Sequence, residues 1–78
     1  MQPDEPTEQE LEVMQLVAEG HKDVAIARRL GVALITVRRR AQMFCRRLGA
    51  KNRAHAVALA TQRGLITVGN AADGDGTP

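Results

Sequence analysis

Two short runs of helical periodicity, separated by a glycine, constrain the fold of this 78-residue chain more than any other feature. The segment reads VAIARRLGVALITVRRRAQMFCRRL and extends from Val24 to Leu48. Ile26 and Leu30 are four residues apart in the first run. In the second run apolar residues recur at steps of four, three and four: Val37, Ala41, Phe44 and Leu48. The pattern predicts two helices, each with one buried face, and a turn at Gly31.

The second run places a basic surface opposite its buried face. On a helical wheel of 100° per residue, the side away from the apolar residues carries Ile35, Arg39, Gln42 and Arg46, and Arg38 and Met43 flank it. The wheel therefore predicts a helix that packs on one side and presents hydrogen-bond donors on the other. A helix pair of this kind is typical of a helix-turn-helix, in which the second helix enters the DNA major groove.

The charge distribution favours a nucleic-acid partner. Residues 1–20 hold six acids and no base, whereas residues 21–63 hold eleven bases and one acid, Asp23. The middle of the chain is thus close to +10, although the formal net charge of the whole is +2. A solvated cationic face would be an alternative explanation of this charge. The basic segment coincides with the helix pair, however, and this coincidence favours contacts to phosphates.

Other functional classes find little support in the residues. The sequence has no run of about 18 apolar residues and its acidic start does not resemble a signal peptide, so we expect a cytoplasmic protein without a membrane partner. Its one cysteine, Cys45, has no metal ligands at suitable spacing, and we expect no metal and no cofactor. No nucleophile and base are paired, so an enzyme is not expected. RNA binding is disfavoured because the lone aromatic residue, Phe44, lies on the buried face.

The chain divides into an acidic arm over residues 1–6, one all-α domain over residues 7–66, and a small, Gly-rich tail over residues 67–78 that we expect to be disordered. Within the domain the apolar periodicity predicts four helices, at about 8–19, 23–30, 34–48 and 54–62.

Three of these helices have a candidate N-cap. Thr7 and Glu10 form a T-x-x-E capping box, Asp23 can cap the second helix and Asn52 the fourth. The third helix is preceded by Ala33, which offers no side-chain acceptor.

Four segments, in order, resemble the DNA-binding domain of the LuxR family of bacterial transcription regulators, also called the GerE or NarL type. They read ELEVMQLVAEG, IARRLGV, TVRRR and RRLGAKNRAHAVALATQRGLI, and the resemblance covers about Pro6 to Ile66. It implies a four-helix domain whose third helix enters the major groove, supported by the second. It also implies double-stranded DNA as partner and a homodimer formed through the fourth helix.

The resemblance assigns roles to individual side chains. Base edges are expected to be read by Arg38, Arg39 and Gln42. Phosphates are expected near Lys22, Thr36, Arg46 and Arg47, and Arg40 either contacts phosphate or extends its charged end past the core. The expected dimer surface comprises His55, Ala58, Leu59 and Gln62.

The chain departs from the family pattern at several positions. Ala33 and Leu34 stand where a cap and an acid are usual, Met43 replaces a common Asn, and Val24 and Ala25 replace polar residues. Ile35 and Met43 suit thymine methyl groups or a protein surface, or they are scattered apolar residues with no special role. The alternative function is therefore a protein-interaction module that docks on another regulator or on RNA polymerase through Leu34, Ile35 and Met43.

Family members also usually carry a receiver or ligand-binding domain before the DNA reader. Here the DNA reader nearly fills the chain, so we expect a stand-alone protein. Its control would come from abundance, a partner or dimerisation.

Overall fold

The computed structural model describes residues 5–68, and they fold into four α-helices. The helices are α1 (Glu8–Ala18), α2 (Asp23–Leu30), α3 (Leu34–Leu48) and α4 (Arg53–Gln62). The all-α, four-helix prediction is confirmed, and each observed boundary lies within one residue of the expected one. The expectations for residues 1–4 and 69–78 lie outside the described residues.

The predicted caps of α1 and α4 are present. Thr7 and Glu10 exchange hydrogen bonds: the Glu10 N–H donates to Thr7 Oγ1 at 3.1 Å and the Thr7 N–H donates to Glu10 Oε1 at 3.2 Å. At α4 the His55 N–H donates to Asn52 Oδ1 at 2.8 Å. The Lys51 N–H donates to His55 Nδ1 at 3.0 Å, so a second backbone donor at this helix start has a side-chain acceptor.

The prediction that Asp23 caps α2 is wrong. Lys22 occupies the cap position without a side-chain cap bond, and its carbonyl accepts from the Ile26 N–H at 2.9 Å. Asp23 is therefore the first residue inside the helix, where its negative charge is favourable beside the positive end of the helix dipole. Its carboxylate bonds to Arg53 on α4 instead of capping its own helix.

The turn between α2 and α3 requires a left-handed residue, and Gly31 supplies it with φ 69°. Its N–H and that of Val32 both reach the Ala27 carbonyl, which closes the end of α2. Ala33 then precedes α3 without a side-chain cap, as expected, and α3 nonetheless begins at Leu34. Helix α3 therefore follows α2 after a turn of three residues.

Helix α3 is central to the core. Four of its residues are buried: Val37, Ala41, Phe44 and Leu48. They join residues from the other three helices and from the segment after α4: Val13, Met14, Ile26, Ala27, Ala56, Ala60 and Ile66. Packing contacts link α3 with each of α1, α2 and α4. The inward face that the spacing predicted is thus confirmed, and its burial fixes which way the opposite face points.

The segment after α4 returns to α1. The Gln15 side-chain amide donates to the Thr67 carbonyl at 2.7 Å, and the Thr67 N–H donates to Gln15 Oε1 at 3.0 Å. Ile66 is buried beside this pair. Of the tail expected over 67–78, the structure describes Thr67 and Val68.

We expect Phe44→Ala to unfold most of the domain. A buried Phe truncated to Ala costs about 3–5 kcal/mol, and a domain of this size has a total stability of roughly 3–10 kcal/mol. The melting temperature, followed by far-UV circular dichroism, should fall by at least about 12 °C. Ile35→Ala on the same helix is the matched control, because Ile35 is 67% exposed and its truncation should change stability by less than about 0.5 kcal/mol. Equal losses for the two variants would contradict the assigned core.

Candidate nucleic-acid interface

The outward face of α3 is exposed along its length. Its exposed residues are Ile35, Arg38, Arg39, Gln42 and Arg46. The three side chains expected to read bases therefore share one surface, on a helix whose other side is buried. No acid occurs anywhere in α3. Guanidinium groups on a rigid helix can donate two hydrogen bonds to a base edge, and an amide can donate one and accept one.

The margins of this face are half-buried. They are formed by Leu34, Thr36, Arg40 and Met43. Thr36 lies in the first turn, where its N–H donates to the Ala33 carbonyl at 3.0 Å. Of the apolar residues on this side of α3, Ile35 is exposed, whereas Leu34 and Met43 are partly covered.

Helix α2 contributes further cations. Lys22 is exposed at its start, and Arg28 and Arg29 are exposed in its last turn. Val24 is 53% exposed in the first turn of the same helix. Lys22 thus lies at a helix N-terminus, a favourable position for an anion.

Arg47 is engaged inside the fold. Its Nε–H is shared between the two carboxylate oxygens of Glu10, at 2.8 and 3.0 Å, and the side chains are 19% and 6% exposed. The same carboxylate takes part in the capping box of α1. This contact ties α3 to α1 and engages Arg47 with Glu10, so the structure does not bring Arg47 together with the exposed arginines.

An acid at the edge of the face joins three helices. Asp23 at the start of α2 accepts from Arg53 of α4 through both oxygens, at 2.7 Å from Nη1 and 3.2 Å from Nη2. Arg38 of α3 approaches the same carboxylate, with its Nε 3.8 Å from Oδ2. Asp23 is only 19% exposed, whereas the Arg38 side chain is 61% exposed.

Sequence reasoning missed Arg53, although a signal was present. Asp23 is the single acid among eleven bases in residues 21–63, so it should attract an arginine. Arg53 begins a helix, where the dipole disfavours a cation unless an acid compensates it. Only the fold shows that these two helix starts are adjacent.

These contacts shift the pKa values of Asp23 and Arg53, and burial shifts that of Cys45. The hydrogen bonds from Arg53 lower the pKa of Asp23 against the opposing effect of burial, and the charges of Arg53 and Arg38 lower it further. The same hydrogen bonds raise the pKa of Arg53. Burial raises the pKa of the Cys45 thiol, which favours the neutral form of a side chain at the core edge.

The side chains expected at a dimer surface are not equally accessible. Ala58 and Gln62 are exposed on α4. Leu59 is half-buried against the core, and His55 is half-buried with Nδ1 engaged by the Lys51 N–H. The accessible part of this surface is therefore formed by Ala58 and Gln62.

In residues 5–68, no three His, Cys, Asp or Glu side chains are grouped as metal ligands. Within the same part of the chain, no helix is long and apolar enough to cross a membrane.

Comparison with known proteins identifies the domain. The family described as bacterial regulatory proteins, luxR family, matches residues 6–60. The chain belongs to the luxR family. It is also 42% identical over 64 residues to the transcriptional regulatory protein YdfI of Bacillus subtilis (strain 168), a match that covers 82% of this chain. No solved structure matches the chain.

Membership of the luxR family confirms the resemblance drawn from the sequence motifs. The chain spans 30% of the length of YdfI. The similarity therefore concerns less than a third of that relative.

Acid should weaken the Asp23 contact. Because the folded pKa of Asp23 lies below its unfolded value, its carboxylate stabilises the fold above about pH 4, and this contribution is lost as the pH falls through the lower, folded pKa. We expect the melting temperature of the wild type to exceed that of Asp23→Asn at pH 6, and the difference to shrink as the pH approaches about 2. A difference that stays constant over this range would contradict the assignment.

Proposed function

We propose that this luxR-family domain binds double-stranded DNA sequence-specifically and regulates transcription, with α3 in the major groove. The observation that carries the proposal is the outward face of α3, where Arg38, Arg39, Gln42 and Arg46 are exposed on a helix anchored by its opposite side. The family match and the similarity to the transcriptional regulatory protein YdfI support it. Such a protein would act in the cytoplasm, associated with the nucleoid when bound.

Base reading is assigned to Arg38, Arg39 and Gln42. An arginine can donate two hydrogen bonds to guanine O6 and N7, and a glutamine can donate one hydrogen bond to adenine N7 and accept one from adenine N6. A good bidentate pair gives about 1–3 kcal/mol of discrimination between bases. The exposed Ile35 beside them suits the methyl group of thymine.

Backbone contacts are assigned to Lys22, Thr36, Arg40 and Arg46. The exposed Arg46 and Lys22 are free to follow phosphates, and the half-buried Thr36 and Arg40 flank the reading face. Such contacts fix the register of the protein on the duplex without reading its sequence. For Arg47 the bond to Glu10 supports a role in stabilising the fold in place of the phosphate contact expected from the family.

We further propose that two copies pair through α4 to form a homodimer. Ala58 and Gln62 are exposed there, and His55 and Leu59 border them at half burial. A small side chain such as alanine allows close approach of two helices. A symmetric pair would present its two α3 helices to half-sites about one DNA turn apart.

Selection of bound duplexes from a random pool, followed by fluorescence anisotropy on the selected sequence, tests the proposal. We expect an enriched motif, and an inverted repeat if a dimer binds. The logarithm of the affinity should fall linearly with the logarithm of the salt concentration. Failure to enrich any sequence, and to bind any duplex even at low salt, would refute the proposal.

The exposure of Ile35 and Val24 favours a second candidate, a module that docks on another regulator or on RNA polymerase. A protein partner would cover Ile35 together with Leu34 and Met43, an apolar patch among cations. Recovery of a regulator or polymerase by a domain that binds no duplex would favour this candidate over DNA reading.

Arg39→Ala should reduce sequence preference. We expect a larger loss of affinity for the selected duplex than for a scrambled one, because a base contact is removed together with a positive charge. Arg63→Ala is the matched control, since it removes an exposed arginine just beyond α4. Equal losses on both duplexes for Arg39→Ala would argue against base reading.

The neighbouring arginines Arg46 and Arg47 should behave differently. Arg46→Ala should weaken binding to all duplexes, reduce the salt dependence by about one unit and leave the melting temperature unchanged. Arg47→Ala should lower the melting temperature, because it leaves the buried Glu10 carboxylate without this partner. If Arg47→Ala lowers the salt dependence of binding without loss of stability, this assignment of a phosphate contact to Arg46 and a structural role to Arg47 is contradicted.

A further inference from the structure

Of the two arginines proposed to read bases, Arg38 differs from Arg39 by its contact with an acid, Asp23. We propose that Asp23 is a positioning residue, which orients the Arg38 guanidinium for base recognition while Arg53 holds Asp23 in place. The inference rests on the proposed function and adds to it a residue that determines specificity without touching DNA.

The Asp23 carboxylate is held in place by contacts within the fold. Arg53 bonds both oxygens of Asp23, at 2.7 and 3.2 Å, so the plane of the carboxylate is fixed by a paired contact. Asp23 is the first residue of α2 and Arg53 the first residue of α4. The position of the acid therefore follows from the packing of two helices against α3.

The contact to Arg38 is weaker. The Nε–Oδ2 distance of 3.8 Å exceeds that of a hydrogen bond, and the Arg38 side chain is 61% exposed. The acid can bias the direction of the guanidinium without binding it tightly. The nearest approach is through Nε, and the terminal Nη1 and Nη2 groups carry four further N–H donors for a base.

Arg39 provides the comparison within the same helix. It is exposed and forms no ion pair with any residue in the part of the chain that the structure describes, so it loses more side-chain freedom when it binds a base. Arg38 is partly ordered before DNA arrives. Preorganisation of this kind improves recognition when the held geometry is the bound geometry.

The same carboxylate of Asp23 disfavours the binding of the domain to DNA of any sequence. A negative charge beside the reading face repels phosphates of any sequence. Asp23 should therefore strengthen discrimination and weaken unspecific binding, two effects that a residue acting only on stability would not produce together.

The test compares wild type and Asp23→Asn, as full chains, on the selected duplex and a scrambled duplex at one salt concentration. We expect the ratio of the two affinities to fall about threefold to tenfold, which is part of the roughly 5–150-fold that one bidentate pair supplies. The affinity for the scrambled duplex should rise. Glu12→Gln is the matched control, since it removes an exposed acid from α1, and it should leave the ratio unchanged.

A double-mutant cycle separates positioning from structure. In an Arg38→Ala background, Asp23→Asn should have no further effect on the ratio, because the side chain that it positions is absent. An equal fall in both backgrounds would overturn the inference. The inference would also be overturned if the wild type discriminates between the two duplexes and Asp23→Asn discriminates equally well, an outcome that leaves the proposed function intact. If the wild type does not discriminate between the duplexes, both the inference and the proposed function are refuted.

A measurement on the unmodified protein covers the case in which Asp23→Asn does not fold. ¹⁵N relaxation of the arginine Nε groups, in the absence of DNA, should show a more ordered side chain for Arg38 than for Arg39 or Arg46. Equal mobility of the three side chains would overturn the inference.

Discussion

The burial of the inner face of α3 is the constraint on which the rest of the structure depends. Phe44 is fully buried at its centre, and residues of α1, α2 and α4 pack around it. Burial of this side chain and its neighbours is the main favourable contribution to the stability of so short a chain. Because a helix is rigid, fixing one face also fixes the opposite one. The buried residues of α3 therefore determine the direction in which its exposed arginines point.

The two acids that contact arginines have complementary positions. Glu10 binds Arg47 on the inner side and ties α1 to α3. Asp23 binds Arg53 at the edge of the outer face and joins the starts of α2 and α4. Each engages one arginine, so fewer cations are available to an anion than the composition suggests, and the arginines of α3 that remain exposed lie on its outward face.

Much of this could be predicted from the sequence, since helix bounds depend on local features. The capping box of Thr7 and Glu10, the cap at Asn52 and the glycine at position 31 each act over a few residues. The spacing of Val37 and Phe44 likewise identified the buried face of α3. The partners of Asp23 and Arg47 could not be predicted in this way, because Asp23 and Arg53 are 30 residues apart and Glu10 and Arg47 are 37 apart.

The sequence by itself therefore determined the four helices, the family and the direction in which α3 presents its donors, because periodicity and capping are local properties. Only the tertiary structure decided which charges remain available. Arg46 and Arg47 are adjacent and chemically identical in the sequence, yet one is exposed and the other is held by Glu10. The same packing converted Asp23 from an expected helix cap into the acid shared by Arg53 and Arg38, since an ion pair forms where folding brings opposite charges together.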